Sequence, residues 1–233
     1  MVIRVFGITT PTGEYLYKKL LRNNYKNIIC YSRSNKDYKY LDLRDEKYST
    51  LNKECSSKEI WIFLCPIWEA DNFLDRLLLS KKYQSYNIRG IICCSSTSII
   101  TKKFSWHQYD KKLISRISSS EKKIIKICNL NKTCLSIIRP TLIYGDYGFY
   151  KDKNINTILK ICKKVPFIIL PKKTGKRQPL HISQLAKIIK KEVKKITRKN
   201  SKNTHSILNI GGDEILTYEM IVKSLLKKRK IKK

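Results

Sequence analysis

The chain has 233 residues, 42% hydrophobic and 10% aromatic, enough to bury a core without disulfide or metal staples. Lys and Arg number 50 against 18 Asp and Glu, a formal charge of +32. No run approaches the ~18 apolar residues of a membrane span, and the N-terminus lacks a signal-peptide pattern, so a cytoplasmic protein with no membrane association is expected.

Residues 2–6 read as a strand, and Leu16, Leu20 and Leu21 at helical spacing place a helix over 14–23. Strands follow over 27–31, 38–43 and 60–64, the last bounded by Pro66. A helix over 71–81, a strand over 90–94, a helix over 114–129 and a strand over 134–138 complete the pattern; Ser118 to Ser120 mark a possible break in the second of these helices. Near-continuous apolar strands alternating with helices imply a parallel sheet covered on both faces. The expected fold is α/β, a Rossmann-like doubly wound parallel sheet over residues 1–145.

Past Gly145 the alternation changes. Helices are expected over 154–164, 182–197 and 218–228, the last capped by Thr217, with short strands over 167–170 and 207–210. These read as a smaller α/β lobe over 146–233 with a frayed basic tail from 227. The lobe is expected to cap the C-terminal ends of the strands, where doubly wound sheets bind ligands.

The basic residues are spread along the chain, with dense clusters only near 187–202 and 227–233. Together with the wealth of Ile, Asn and Tyr, this fits A/T-rich coding better than a nucleic-acid surface, whose footprint is clustered. Non-specific attraction to polyanions still follows from the charge. The eight cysteines (30, 55, 65, 93, 94, 128, 134 and 162) form no CxxC pair, and most lie in apolar runs, so buried free thiols are expected and no metal.

The segment Gly7-Ile8-Thr9-Thr10-Pro11-Thr12-Gly13 joins the first strand to the first helix. Gly7 suits the tight turn and Gly13 the close helix–strand approach of a dinucleotide fold. Thr10 holds the middle position, where it either narrows the approach of a pyrophosphate or donates its hydroxyl to it. Thr9 and Thr12 flank that contact. The second strand ends in Ser32-Arg33-Ser34, and Arg33 suits a 2′-phosphate where an acidic residue would suit the free ribose, so NADP(H) is favoured over NAD(H). Asp42 and Leu43 end the third strand at the rim, facing the adenine.

With these residues, the chain resembles the extended short-chain dehydrogenase/reductase superfamily, nearest the NAD(P)-dependent nucleoside-diphosphate-sugar epimerases and dehydratases. Beside the glycine turn, the matching segments are Leu41–Asp45, Leu64-Cys65-Pro66, Ser95-Ser96-Thr97-Ser98, Ile138–Gly145, Arg177–Ile182 and Asn209–Gly212. The resemblance implies that Leu64, Cys65, Pro66, Ser95 and Pro140 line the cofactor. It implies that Ser96, or Thr97, holds the reacting oxygen, and that Tyr144, Arg177 and His181 meet a nucleotide-sugar substrate. The family's Tyr-x-x-x-Lys dyad should fall near Leu113 and Ile117, and neither can supply its proton chemistry. Tyr109, Tyr144 and His107 are the substitute acid–base candidates. Gln184 stands in place of the family's Asp, and the chain ends soon after its last matching helix. Two functions stay open: an NAD(P)-dependent oxidoreductase or epimerase acting on a sugar nucleotide, or an NADP-binding structural or regulatory module without turnover. Oligomeric state is not readable.

Overall fold

The computed structural model describes residues 1–45, 51, 57–164, 175–198 and 204–230. The elements in chain order are β1 (Val2–Phe6), α1 (Pro11–Leu21), β2 (Ile28–Ser32), β3 (Lys39–Tyr40), β4 (Glu59–Phe63), α2 (Ile67–Leu79) and β5 (Ile88–Cys94). They continue with a short α3 (Ser98–Thr101), α4 (Gln108–Leu130), β6 (Cys134–Pro140), β7 (Ile143–Tyr144), α5 (Lys153–Lys164), β8 (Leu180–His181), α6 (Ile182–Thr197), β9 (His205–Ile210) and α7 (Tyr218–Lys230).

Seven strands form one parallel sheet in the order β3-β2-β1-β4-β5-β6-β9, and β7 pairs with β8 apart from it. The expected α/β doubly wound architecture is present. Side chains of β1 alternate between two buried layers, as strand geometry requires. Ile3 and Val5 join Leu16 and Leu20 of α1 and Leu185, Ile189 and Val193 of α6 on one face. Phe6 joins Phe73, Leu74 and Leu77 of α2 and Ile117, Ile124 and Ile127 of α4 on the other. Its ring stacks on Phe63, its register partner on β4, with centroids 4.4 Å apart. Arg4 is fully buried on that second face, where Glu59 takes its guanidinium in a two-bond pair at 2.8 and 2.9 Å.

The chain runs from β1 outward to β2 and β3, then returns across β1 to β4. The strand order therefore reverses between β1 and β4, which opens a crevice at their C-terminal ends. Leu64 N–H donates to Phe6 O at 2.9 Å and closes the floor of that crevice.

Several predicted boundaries move. The third strand shrinks to Lys39–Tyr40 because Leu41 and Leu43 turn into the core and Asp45 N–H closes a turn onto Asp42 O at 3.1 Å. α2 begins at Ile67, directly after Pro66, and α4 begins at Gln108 and runs unbroken past Ser118–Ser120. Both α6 and β9 lie beyond residue 145 yet build into the large sheet: β9 extends it beside β6, and α6 covers the face shared with α1. The strand expected over 167–170 and the last residues of the basic tail lie outside the described residues.

Candidate functional site

The first strand-to-helix turn depends on two glycines. Gly7 has φ +85°, and a Cβ there would meet Cys65 N at 3.0 Å. A Cβ at Gly13 would lie 2.5 Å from Ile8 O, so only glycine lets α1 start this close to β1. Thr10 is the N-cap of α1: its Oγ1 accepts from Gly13 N–H at 3.0 Å and donates to Gly7 O at 3.2 Å. The Thr10 hydroxyl is therefore held within the turn instead of being offered to a ligand. Thr12 is buried in the first helical turn.

A cavity of about 490 Å³ opens on this turn. Gly7, Thr9, Thr10, Ser32, Arg33, Asp42, Leu43, Leu64, Cys65 and Pro66 line it, so the predicted cofactor residues from β1, β2, β4 and the segment after β3 converge. The Ser32 hydroxyl accepts from Ser34 N–H at 3.1 Å and Asn35 N–H at 3.0 Å, which shapes the turn that leaves Arg33 on the wall; Ser34 is not on that wall. Asp42 is gripped by Arg44, whose N–H and Nε donate to Oδ1 and whose Nη2 donates to Oδ2 at 2.5 Å. Those bonds hold the Asp42 carboxyl down at about 2, below its ordinary range. Burial pushes the Cys65 thiol up to about 12, so it presents a neutral wall. Arg44, Trp68, Glu69 and Lys153 also line this cavity and were not expected there.

A second cavity of about 1170 Å³ lies at the ends of β5 and β6. Ser95, Ser96, Thr97, Pro140 and Arg177 all line it. Ser95 N–H donates to Ile138 O and Thr97 N–H to Pro140 O, which carries the serine segment along the edge of β6. The Ser96 hydroxyl is 3.0 Å from that of Ser98 and accepts from Ser98 N–H at 3.1 Å. The Ser95 hydroxyl donates to Glu121 Oε1 at 2.5 Å, and Arg139 clamps the same carboxylate through both oxygens. The Ser95 hydroxyl is thus committed to Glu121 of α4.

On α4, Ile117 is buried in the core and Leu113 packs against it. The carboxylate of this helix that faces the large cavity belongs to Asp110, held by Lys102 Nζ at 2.7 Å and Ser105 Oγ at 2.8 Å. These bonds keep the Asp110 carboxyl below its ordinary range. Tyr109 is largely exposed and lines neither cavity, while His107 caps α4 by accepting from Tyr109 N–H at 3.2 Å. Tyr144 and His181 make an edge-to-face pair with centroids 5.2 Å apart, and His181 caps α6 through Ser183 and Gln184. They join the β7–β8 pair to α6 and are not on the wall of the large cavity, unlike Arg177. Gln184 donates to Asp213 at 2.7 Å.

Among the described residues, no group of three His, Cys, Asp or Glu is arranged to hold a metal ion, and no helix is long and apolar enough to cross a membrane. Asp110 had a signal in the sequence, an acidic residue in the first turn of a helix capped by His107. Lys153 had none, because its neighbours on the cavity wall lie more than eighty residues away along the chain.

No family model matches the chain. A relative, NADH dehydrogenase [ubiquinone] 1 alpha subcomplex subunit 9, mitochondrial, from Dictyostelium discoideum, is 25% identical over an alignment of 239 positions. The alignment takes in 94% of this chain and 61% of the relative, so the chain spans about three fifths of that protein. Among solved structures, the UDP-glucuronic acid 4-epimerase of Bacillus cereus in complex with NAD superposes with a TM-score of 0.73 at 16% identity, over 99% of this chain and 84% of the epimerase. The dTDP-glucose 4,6-dehydratase of Bacillus anthracis in complex with NAD gives 0.70 at 15% identity, over 97% and 80%. The UDP-N-acetylglucosamine 4-epimerase of Bacillus cereus gives 0.68 at 17%, over 97% and 81%. The seven-stranded parallel sheet with helices on both faces accordingly has the fold of these two nucleotide-sugar epimerases and of the dehydratase.

Proposed function

We propose that the chain binds NADP(H) in the smaller cavity and holds it as a structural or regulatory group, without turning over a sugar nucleotide. The observation that carries this reading is α4: Leu113 and Ile117 face the core where a proton-transferring Tyr and its Lys are expected, and Tyr109 lies off the large cavity. The cofactor half fits the residues present. Gly7 leaves backbone free to approach a pyrophosphate, Leu43 and Pro66 give apolar walls, and Arg33 supplies a cation for a 2′-phosphate. Thr9 and Gly7 would meet the pyrophosphate and Asp42 the adenine in the smaller cavity, and the nicotinamide would reach from there to Pro140 on the wall of the larger one. When bound, that nicotinamide supplies hydride exchange; the chain's own residues bind and orient it. The NAD held by the epimerase and dehydratase of like fold supports the cofactor class, and Arg33 supports the phosphorylated form. The relative named as a subunit of NADH dehydrogenase supports a place in an assembly.

Titration with NADPH and NADH by nicotinamide fluorescence, at moderate and high salt, tests the cofactor. Incubation with UDP-glucose and UDP-glucuronic acid tests turnover. Saturable, NADPH-preferring binding that survives salt, with no product, is the expected result. Product formation overturns the non-catalytic reading, and binding that vanishes with salt overturns the cofactor.

A second reading, a nucleotide-sugar oxidoreductase or epimerase, is favoured by the large cavity itself. Ser96 there would hold the reacting oxygen, Arg177 a substrate phosphate, and Asp110 with Lys102 would take the acid–base role. On this reading Ser96→Ala abolishes turnover and leaves NADPH affinity intact; unchanged turnover sinks it. The division near residue 145 into a dinucleotide-binding part and a substrate lobe is likewise proposed, with β9 and α6 counted with the sheet of the first part and limited proteolysis as its test. The relative is named as mitochondrial, against the cytoplasmic expectation, and fractionation of source cells separates the two.

A further inference from the structure

A helix begins with four N–H groups outside its own ladder, and these commonly meet the pyrophosphate of a dinucleotide. In α1 most are gone. Thr10 N–H donates to Ile8 O at 2.8 Å, Pro11 has no N–H, and Gly13 N–H donates to Thr10 Oγ1 at 3.0 Å. Among the described residues, only the Thr12 N–H of that set keeps no protein acceptor. A diphosphate bearing two negative charges would find a weak cradle there.

A cation enters the same cavity from elsewhere in the chain. Lys153, the first residue of α5, lines it together with Gly7, Thr9 and Thr10. The segment before it is fixed across the crevice. Tyr147 packs edge-on against Tyr15 of α1 with centroids 5.0 Å apart, and the Tyr150 hydroxyl accepts from Asn35 Nδ2 at 2.9 Å. Buried Asp152 then accepts from Asn154 N–H at 2.8 Å and Ile155 N–H at 2.9 Å, which starts α5 and sets the direction of Lys153. The cavity's own carboxylates are Asp42, already gripped by Arg44, and Glu69.

Resting on the cofactor reading above, we propose that Lys153 is the cation that meets the diphosphate bridge of the dinucleotide, in place of the N–H groups lost to Thr10 and Pro11. The chain beyond residue 145 then closes on the cofactor as well as on the substrate side. The diphosphate is common to NADPH and NADH, whereas the 2′-phosphate is not. Lys153→Ala is therefore expected to weaken both dinucleotides by the same factor, about ten- to a hundredfold as for loss of a charge-assisted bond. Lys153→Arg should restore most of the affinity. Lys151→Ala is the control, because Lys151 is off the cavity and pairs with Asp146 at 3.5 Å. Thermal unfolding of each variant establishes that it is folded. Unchanged affinity in Lys153→Ala, or a loss confined to NADPH, overturns the proposal while leaving the cofactor reading standing. Failure of the unsubstituted protein to bind either dinucleotide overturns the cofactor reading, and this inference with it.

Discussion

Arg33 follows Ser32, the last residue of β2, onto the wall of the smaller cavity, where an acidic side chain would instead accept both ribose hydroxyls. Arg33→Asp reverses the charge at that point. NADPH affinity is expected to fall at least about tenfold, as for a lost charge-assisted bond, with NADH affinity unchanged or improved. Equal losses for both would remove the NADP assignment. Asp42 gives a pH test. Its carboxyl is depressed by Arg44, so its contribution to the fold is complete above its unfolded value near 4 and is lost as pH falls toward about 2. The pair is partly solvent-exposed, which keeps that contribution small. Asp42→Asn should thus lose less stability than the parent between pH 4 and 2 in acid unfolding; parallel curves would mean that the Arg44 pair does not persist. The placement of Gly7, Arg33 and Asp42 on the cavity wall was legible in the sequence because Gly7 and Arg33 directly follow β1 and β2 and Asp42 lies two residues past β3. The role of Thr10 was not, since only the bonds of the cap show which partner its hydroxyl takes.

α4 shows what an element adds beyond its residues. Its apolar stripe of Ile117, Ile124 and Ile127 was readable from spacing, and its first turn was not, because His107 is an unusual cap and the serine run looked like a break. Buried Ser120 instead faces buried Asp71 of α2, so that part of the run helps join two helices. Glu121 performs the same service toward the sheet: it takes Ser95 at the end of β5 and Arg139 at the end of β6. Glu121→Ala leaves the mostly buried Arg139 guanidinium without its anion, at a cost of about 3 kcal/mol. Urea unfolding measures it, and a loss below about 1 kcal/mol would mean that water replaces the carboxylate. The serine segment borders the large cavity, so the same variant should also loosen any ligand bound there.

Both cavities open along one edge of a single sheet, because every strand in it runs parallel and all seven end on the same side. The first 145 residues made that edge legible, β1, β4 and β5 each being followed by a helix. The closing of the sheet by β9 and α6 was harder to read: β9 pairs with β6 across about seventy intervening residues, and neither chain spacing nor composition encodes that partner. The charge of +32 belongs to this scale too. Like charges on one compact body repel over a screening length of about 30 Å at 0.01 M salt and about 8 Å at 0.15 M. The folded state should therefore gain stability as salt rises, with the midpoint of thermal unfolding climbing by several degrees between those conditions. The same salt should strip a non-specific polyanion such as heparin steeply, since each displaced contact responds to bulk ions. A dinucleotide held in the smaller cavity, as proposed, also makes apolar and backbone contacts there and should lose far less affinity over that range. Parallel salt slopes for heparin and NADPH would mean that the chain meets both through its surface charge alone, and the smaller cavity would lose its claim to the cofactor.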